Sequence, residues 1–455
     1  MTVVRFDDSL PALADAISAT LGREALQAGT VLRDATGRLA FFAATPLNAE
    51  TIDRVKCALC DSLGAYARPD RVIADSDAPG AASVRADGSA LWVSMDGVRL
   101  RLVDRRLAGA DWLRAPTPSA RTPARFVFAS LKGGVGRSTA LSVAAAHLAA
   151  ERGKRVLVVD LDMEAPGLGA ILLTPDTSPE FGVVDALVEN GISGLDDGFL
   201  ADMVGPSALA QRGRIDVIPA FGRRSALNPG EVLAKLARAY VEDIAEDGTV
   251  ATILDQIRAL LDRFADPERY DVILIDARAG LHETTASAIL GLGAEVFLFG
   301  LDEEQTFQGY AAMFAHLARL ATNEPMAEWT QRLTMVHGKA PIDAVERHNF
   351  ALRCRELFSA FTSEASQPRQ VEEVHVPAGA FDKVPWDDSV TDDEALPQDW
   401  SNREPIVVLQ NEQYLRFDPL RRRDLITERV YGTIFGDLLR QIEIAMDPDA
   451  GIEVR

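Results

Sequence analysis

Ten consecutive residues limit what this chain can fold into more than any other stretch: Leu131-Lys132-Gly133-Gly134-Val135-Gly136-Arg137-Ser138-Thr139-Ala140. They lie between an apolar run, Phe126-Val127-Phe128-Ala129, and a long helical pattern starting near Ser138. A strand followed by a glycine-rich turn and a helix lets successive backbone N–H groups converge on an anion, to which the helix presents its positive end. The amides of Gly133, Gly134, Val135, Gly136, Arg137, Ser138 and Thr139 are therefore expected to cradle phosphate groups, and the Ser138 hydroxyl to reach a magnesium ion. Two basic residues mark the loop: Lys132 at its start, and Arg137 where such loops usually carry lysine.

Beyond residue 125 the pattern alternates strand and helix. Near-continuous apolar runs at Phe126–Ser130, Arg155–Asp160, Ile215–Pro219, Asp271–Asp276, Ala294–Gly300, Leu333–His337 and Val371–Val376 read as strands buried on both faces. Helical patterns at Ala140–Arg152, Val250–Phe264 and Phe307–Ala321 separate them. This alternation predicts an α/β fold with a doubly wound, mostly parallel sheet. Two of its strands end in acids, Asp160-Leu161-Asp162 and Asp276, and ligands of open parallel sheets bind at the carboxyl ends of the strands. The loop and both acidic ends should meet in one crevice, where carboxylates can hold a metal's water or orient an attacking one. Asp387 to Glu404 is acidic and reads as a surface loop, and Thr427 to Met446 as a closing helix.

Ahead of this region lies a small α+β pattern. A strand is expected over Val3–Phe6, a helix over Leu10–Leu21, two strands around Asp34–Gly37, a helix over Ala49–Ala65 and a hairpin turning at Asp96-Gly97. The proline-rich stretch Pro116–Pro123 cannot enter a helix or central strand and marks the boundary. The expected organisation is a small domain over 1–113, a linker over 114–124, the α/β domain over 125–446 and a tail over 447–455. A chain of 455 residues suits two cores.

With Lys132-Gly133-Gly134-Val135-Gly136-Arg137-Ser138-Thr139, Asp160-Leu161-Asp162 and Ile273-Leu274-Ile275-Asp276 in view, the chain resembles the ParA/MinD superfamily of deviant Walker A P-loop ATPases, in an arginine variant of the KGGVGK[ST]T box. The resemblance covers 125–446. It implies ATP and Mg²⁺ as cofactors, with dimers that close on ATP and release a partner after hydrolysis. Lys132 matches the signature lysine that reaches the partner subunit's nucleotide, Ser138 the magnesium ligand and Thr139 an α-phosphate contact. Asp162 matches the residue positioning the hydrolytic water; Asp160 and Asp276 match the acids behind the metal's water shell. The catalytic set so implied is Lys132, Arg137 and Asp162, and the metal set Ser138, Asp160 and Asp276. Val371–Pro377 falls where the family has its late strand and adenine-side loop. Arg137 and Ala277-Arg278-Ala279-Gly280 depart from the family pattern, and Arg278 is either a phosphate-facing arginine or half of a salt bridge.

The leading expectation is a slow Mg²⁺-dependent ATPase that acts as a dimerisation switch for a protein partner. A scaffold that holds nucleotide without hydrolysis is the second reading, and a DNA-stimulated partition ATPase the third. A net charge of -21 disfavours a nucleic-acid coat, although Arg421-Arg422-Arg423 leaves a local contact open. No signal peptide or membrane span is expected, and the three cysteines suit a reducing cytosol. Cys57 and Cys60 share one helix without a second such pair, which favours buried or incidental thiols over a zinc or redox pair. His337 is placed near the adenine side, as a base contact or as a structural histidine.

Overall fold

A cap overrides the expected first strand. Phe6 opens helix α1 (Phe6–Thr20) because Asp8 reaches back to the Arg5 amide (3.4 Å) and Asp7 and Asp8 face the positive helix end. The computed structural model describes residues 4–95, 97–120, 122–244, 250–320, 328–365 and 404–447. Strands β1 (Thr30–Arg33) and β2 (Leu39–Phe42) pair antiparallel around the Asp34–Gly37 turn, which Asp34 closes by accepting the amides of Thr36 and Arg38. Helix α2 (Ala49–Leu63) starts where the Asn48 side chain accepts the Thr51 amide. With β3 (Ile73–Ala74), β4 (Leu91–Met95) and β5 (Val98–Asp104), these strands form a mixed sheet in the order β3-β2-β1-β5-β4.

A second sheet carries the glycine-rich loop. Its elements are β6 (Ala124–Ser130), α3 (Arg137–Ala150), β7 (Arg155–Asp160), α4 (Leu168–Leu172), β8 (Gly205–Pro206), β9 (Arg214–Ile218), α5 (Ile253–Phe264), β10 (Val272–Ala279), α6 (Glu283–Gly291), β11 (Glu295–Gly300), α7 (Glu304–Leu320), β12 (Leu333–Ala340), α8 (Ala344–Ala365), β13 (Ile406–Leu409) and α9 (Glu428–Met446). The order is β13-β12-β11-β6-β10-β7-β9-β8, and every pairing is parallel except β8 with β9. Alternate residues of each central strand enter different cores. Phe126, Phe128, Val156, Val158, Leu274 and Phe297 pack with α3 and α9, while Val127, Leu157, Ile273, Ile275 and Leu298 pack with α5 to α8. That division is why the runs have no polar face.

Most sequence-read boundaries fall within a few residues. Besides the first strand, replaced by the start of α1, the exceptions are the last strand and its neighbours: Val371–Val376 and almost all of the acidic stretch lie outside the described residues, and the strand that continues the sheet past β12 is β13, which had no expected counterpart.

The two sheets are tied together through residues 109–120. Both Glu283 oxygens, at the start of α6, accept backbone amides: Gly109 and Ala110 on one, Asp111 on the other. Asp111 in turn accepts the Leu254 amide at 2.8 Å, and the carbonyl of buried Trp112 meets His316 of α7. The proline-rich stretch lies along the second sheet's helices, with Thr117 N–H on Leu290 O and Ala120 N–H on Gly293 O, both at 2.8 Å. Gly293 permits this approach, because a Cβ there would lie 2.4 Å from Pro118 O.

Candidate functional site

Local chemistry explains the loop's shape. Gly134 (φ 78°) and Gly136 (φ 95°) adopt left-handed backbone that other residues rarely take. The first backbone bond of α3 runs from Ala140 N–H to Gly136 O (2.9 Å), so the amides of Arg137, Ser138 and Thr139 stay outside the helical ladder. Gly133 and Gly134 are exposed, and a Cβ on either would meet nothing within 4 Å. The cradle therefore opens outward, with free N–H groups at a helix N-terminus. On its sheet side Gly338 of β12 presses against it, since a Cβ there would sit 2.3 Å from Val135 O.

Behind the cradle, β6, β7 and β10 bring four of the sequence-read residues together. Arg137 is only 8% exposed and points inward. Its Nε donates to Asp276 Oδ1, its Nη2 to Asp162 Oδ2 (2.9 Å) and its Nη1 to Ser130 Oγ (3.0 Å). The Ser138 hydroxyl donates to the other Asp276 oxygen at 2.5 Å. Burial pushes the Asp276 carboxyl above the usual carboxylate range, and Arg137 and Ser138 pull it back. Burial likewise works against the charge on Arg137, but Asp276 and Asp162 outweigh it and hold the guanidinium charged.

Asp160 lies next to Asp276 in strand register but serves another purpose. One oxygen accepts the Asp162 amide (3.0 Å), and the other accepts Gly167 (3.2 Å) and Leu168 (3.1 Å) at the start of α4. Burial, helped by the Asp276 charge, pushes its carboxyl up to about 7, against the pull of these amides. Of the metal set expected of Ser138, Asp160 and Asp276, the first and last bond directly and Asp160 is the register partner of Asp276. Asp160 organises the 161–168 backbone, and Ser138 and Asp276 bond to each other and to Arg137. Among the described residues no group of three or more His, Cys, Asp or Glu side chains could hold a metal ion.

The remaining expected residues stand apart. Lys132 is half-exposed and pairs with Glu303 of its own chain at 2.6 Å. Arg278 forms the salt bridge, with Glu164 at 2.6 Å, and Tyr240 donates to the same oxygen, joining the loop after β7 to the end of β10. His337 is buried and stacked on Phe350 (4.0 Å between ring centres), and burial lowers its pKa to about 4, so it belongs to the core. Arg421 and Arg422 pair with Asp418 and Asp424, and Arg423 bonds to the Ala208 carbonyl. Cys57 and Cys60 are exposed on α2, contrary to burial, and Cys354 is buried. No helix among the described residues is long and apolar enough to cross a membrane.

Beside the cradle runs a narrow groove of about 40 Å³, lined by Gly136, Thr139, Lys339, Gln410, Asn411 and Tyr414 among others. β13 and the turn after it build one wall of this groove, and Val371–Pro377 lies outside the described residues. The short apolar run Ile406–Leu409 followed by Gln410-Asn411 was the available signal. Ser130, Glu164 and Glu303 also escaped sequence reading, since nothing local distinguishes them.

A phosphate-cradling loop on a doubly wound sheet, with acids at adjacent strand ends, defines a P-loop nucleotide-binding domain. Residues 126–297 match the family described as the CobQ/CobB/MinD/ParA nucleotide binding domain. This match runs from β6 into β11 and takes in the glycine-rich loop, Asp160, Asp162 and Asp276. Among solved structures it is similar to a ParA family ATPase from Chlorobium tepidum TLS (17% identity, 70% of this chain and 99% of that one, TM-score 0.41). It is also similar to the cell division ATPase MinD of Pyrococcus furiosus (17%, 70% and 98%, 0.39). A putative plasmid partition protein from Borrelia burgdorferi B31 bound to AMPPNP shows 16% identity over 70% of this chain and 99% of its own, with a TM-score of 0.39. No curated protein matches the chain.

Proposed function

We propose that this protein is an ATP-binding switch of slow turnover that forms ATP-dependent dimers through its α/β domain (125–446) and controls a protein partner through a small domain (1–113) joined by the 114–124 linker. One observation carries the reading: the open amide cradle of Gly133 to Thr139 backs directly onto the buried cluster of Arg137, Ser138, Asp162 and Asp276. Phosphates seat on the amides, Thr139 and Ser138 border them, and the base enters the groove beside Asn411 and Tyr414. Asp162 orients the attacking water, and its engagement by Arg137 keeps turnover slow. Lys132 serves the dimer once it leaves Glu303. A magnesium ion finds its expected donors already committed, so no step is assigned to it.

Phosphate release by the purified protein and by an Asp162→Ala variant tests the catalytic assignment. Slow release by the wild type and none by the variant is expected; equal rates remove Asp162 from the chemistry. The second reading, a scaffold that holds ATP without hydrolysing it, is favoured by the same grip of Arg137 on Asp162 and Asp276. Tight ATP binding with no turnover, partner present, selects it.

A further inference from the structure

The charges behind the cradle are partly offset from within the protein, by one guanidinium set between two carboxylates. Asp162 and Asp276 are respectively 9% and 1% exposed, and through Arg137 and Ser138 both lie directly behind the loop on which a triphosphate would sit. Two carboxylates and a polyanion in a poorly solvated crevice repel one another strongly unless a cation stands between them. The guanidinium of Arg137 is already there. Its planar fork spans both acids, with Nε on Asp276 and Nη2 on Asp162, while Nη1 is anchored by Ser130. A lysine ammonium, as a compact point charge, lacks the reach to bridge the pair in this way. The oxygens that a divalent ion would use are engaged within the protein: Ser138 Oγ and both Asp276 oxygens with one another and Arg137, both Asp160 oxygens with backbone amides.

We propose that Arg137 is a built-in cation that takes over the shielding a divalent metal would supply, so that the loop accepts nucleoside triphosphate with little dependence on metal. The inference rests on the nucleotide-binding reading above and concerns only how the charge is balanced.

The test measures the affinity of the full-length protein for a fluorescent N-methylanthraniloyl-ATP in EDTA and in excess Mg²⁺, for the wild type, Arg137→Met and Arg137→Lys. Wild-type affinity should change by less than about threefold between the two media, while Arg137→Met should weaken by about tenfold or more in EDTA and recover in Mg²⁺, where the metal replaces the lost charge. A wild type that binds about tenfold or more weakly in EDTA overturns the proposal. So does an Arg137→Met variant weakened equally in both media, because the arginine would then be a plain phosphate contact. Should the methionine variant fail to fold, as judged by circular dichroism, the wild-type comparison and Arg137→Lys decide the matter. The lysine variant should show a metal dependence that the wild type lacks, and its absence counts against the proposal. Failure of the wild type to bind in either medium sinks the underlying nucleotide reading instead.

Discussion

Replacing Arg137 by methionine should destabilise the α/β domain in a way that depends on pH. Methionine is similar in length and fills the space, so the change chiefly removes charge. The guanidinium holds Asp276, Asp162 and Ser130 together at 8% exposure. Removing one partner of a buried ion pair costs about 3–5 kcal/mol, since the charge left behind is uncompensated. Asp276, at 1% exposure, bears most of that cost; Asp162 borders solvent. Burial already raises the Asp276 pKa above its ordinary value, and Arg137 opposes the rise, so the variant's folded-state pKa goes higher still. A carboxyl whose folded pKa exceeds its unfolded one weakens folding as pH climbs from the unfolded value through the folded one, by about 1.4 kcal/mol per pH unit per proton. The deficit relative to wild type should therefore be largest near neutrality and above, and shrink as acid protonates Asp276. Asp160, pushed up to about 7 partly by the Asp276 charge, titrates together with Asp276, so the difference reports on the pair. Urea denaturation followed by tryptophan fluorescence at about pH 5 and about pH 8 measures it. A deficit below about 1 kcal/mol, or the same at both pH values, would show that the guanidinium does not hold these acids.

Other outcomes follow from the same geometry. Lys132→Ala should leave monomeric ATP affinity within about threefold and abolish ATP-induced association in sedimentation; the half-exposed Lys132–Glu303 pair is worth under about 1 kcal/mol, so the melting curve should barely move. An unaltered dimer would contradict the cross-subunit role. Glu283→Ala should free the amides of residues 109–111, raising their hydrogen-exchange rates by about tenfold or more while the core around Trp329 stays protected. Unchanged exchange would mean that the carboxylate does not hold residues 109–111. Phosphate release by Asp162→Ala and the chelator comparison at Arg137 complete the set.

Much of this fold was readable residue by residue. A strand buried on both faces, a glycine turn needing positive φ and a helix start all depend on neighbours within a few positions, so β6, the loop and α3 are legible in the letters alone. The strand-end acids were legible too, because a parallel sheet directs its carboxyl ends to one edge. Which partner each side chain takes was not. Arg137 has one charge and several anions within reach, and the choice of Asp162 and Asp276 over a phosphate-facing pose depends on three strands lying side by side. The same holds for the different partners taken by Asp160 and its sheet neighbour Asp276, for Glu283 reaching back more than 170 positions to residues 109–111, and for the groove beside β13. Periodicity and spacing carry information along the chain, whereas charge pairing and burial act through space. The loop's identity therefore belongs to the sequence, and the internal cation behind it to the packing of β6, β7 and β10.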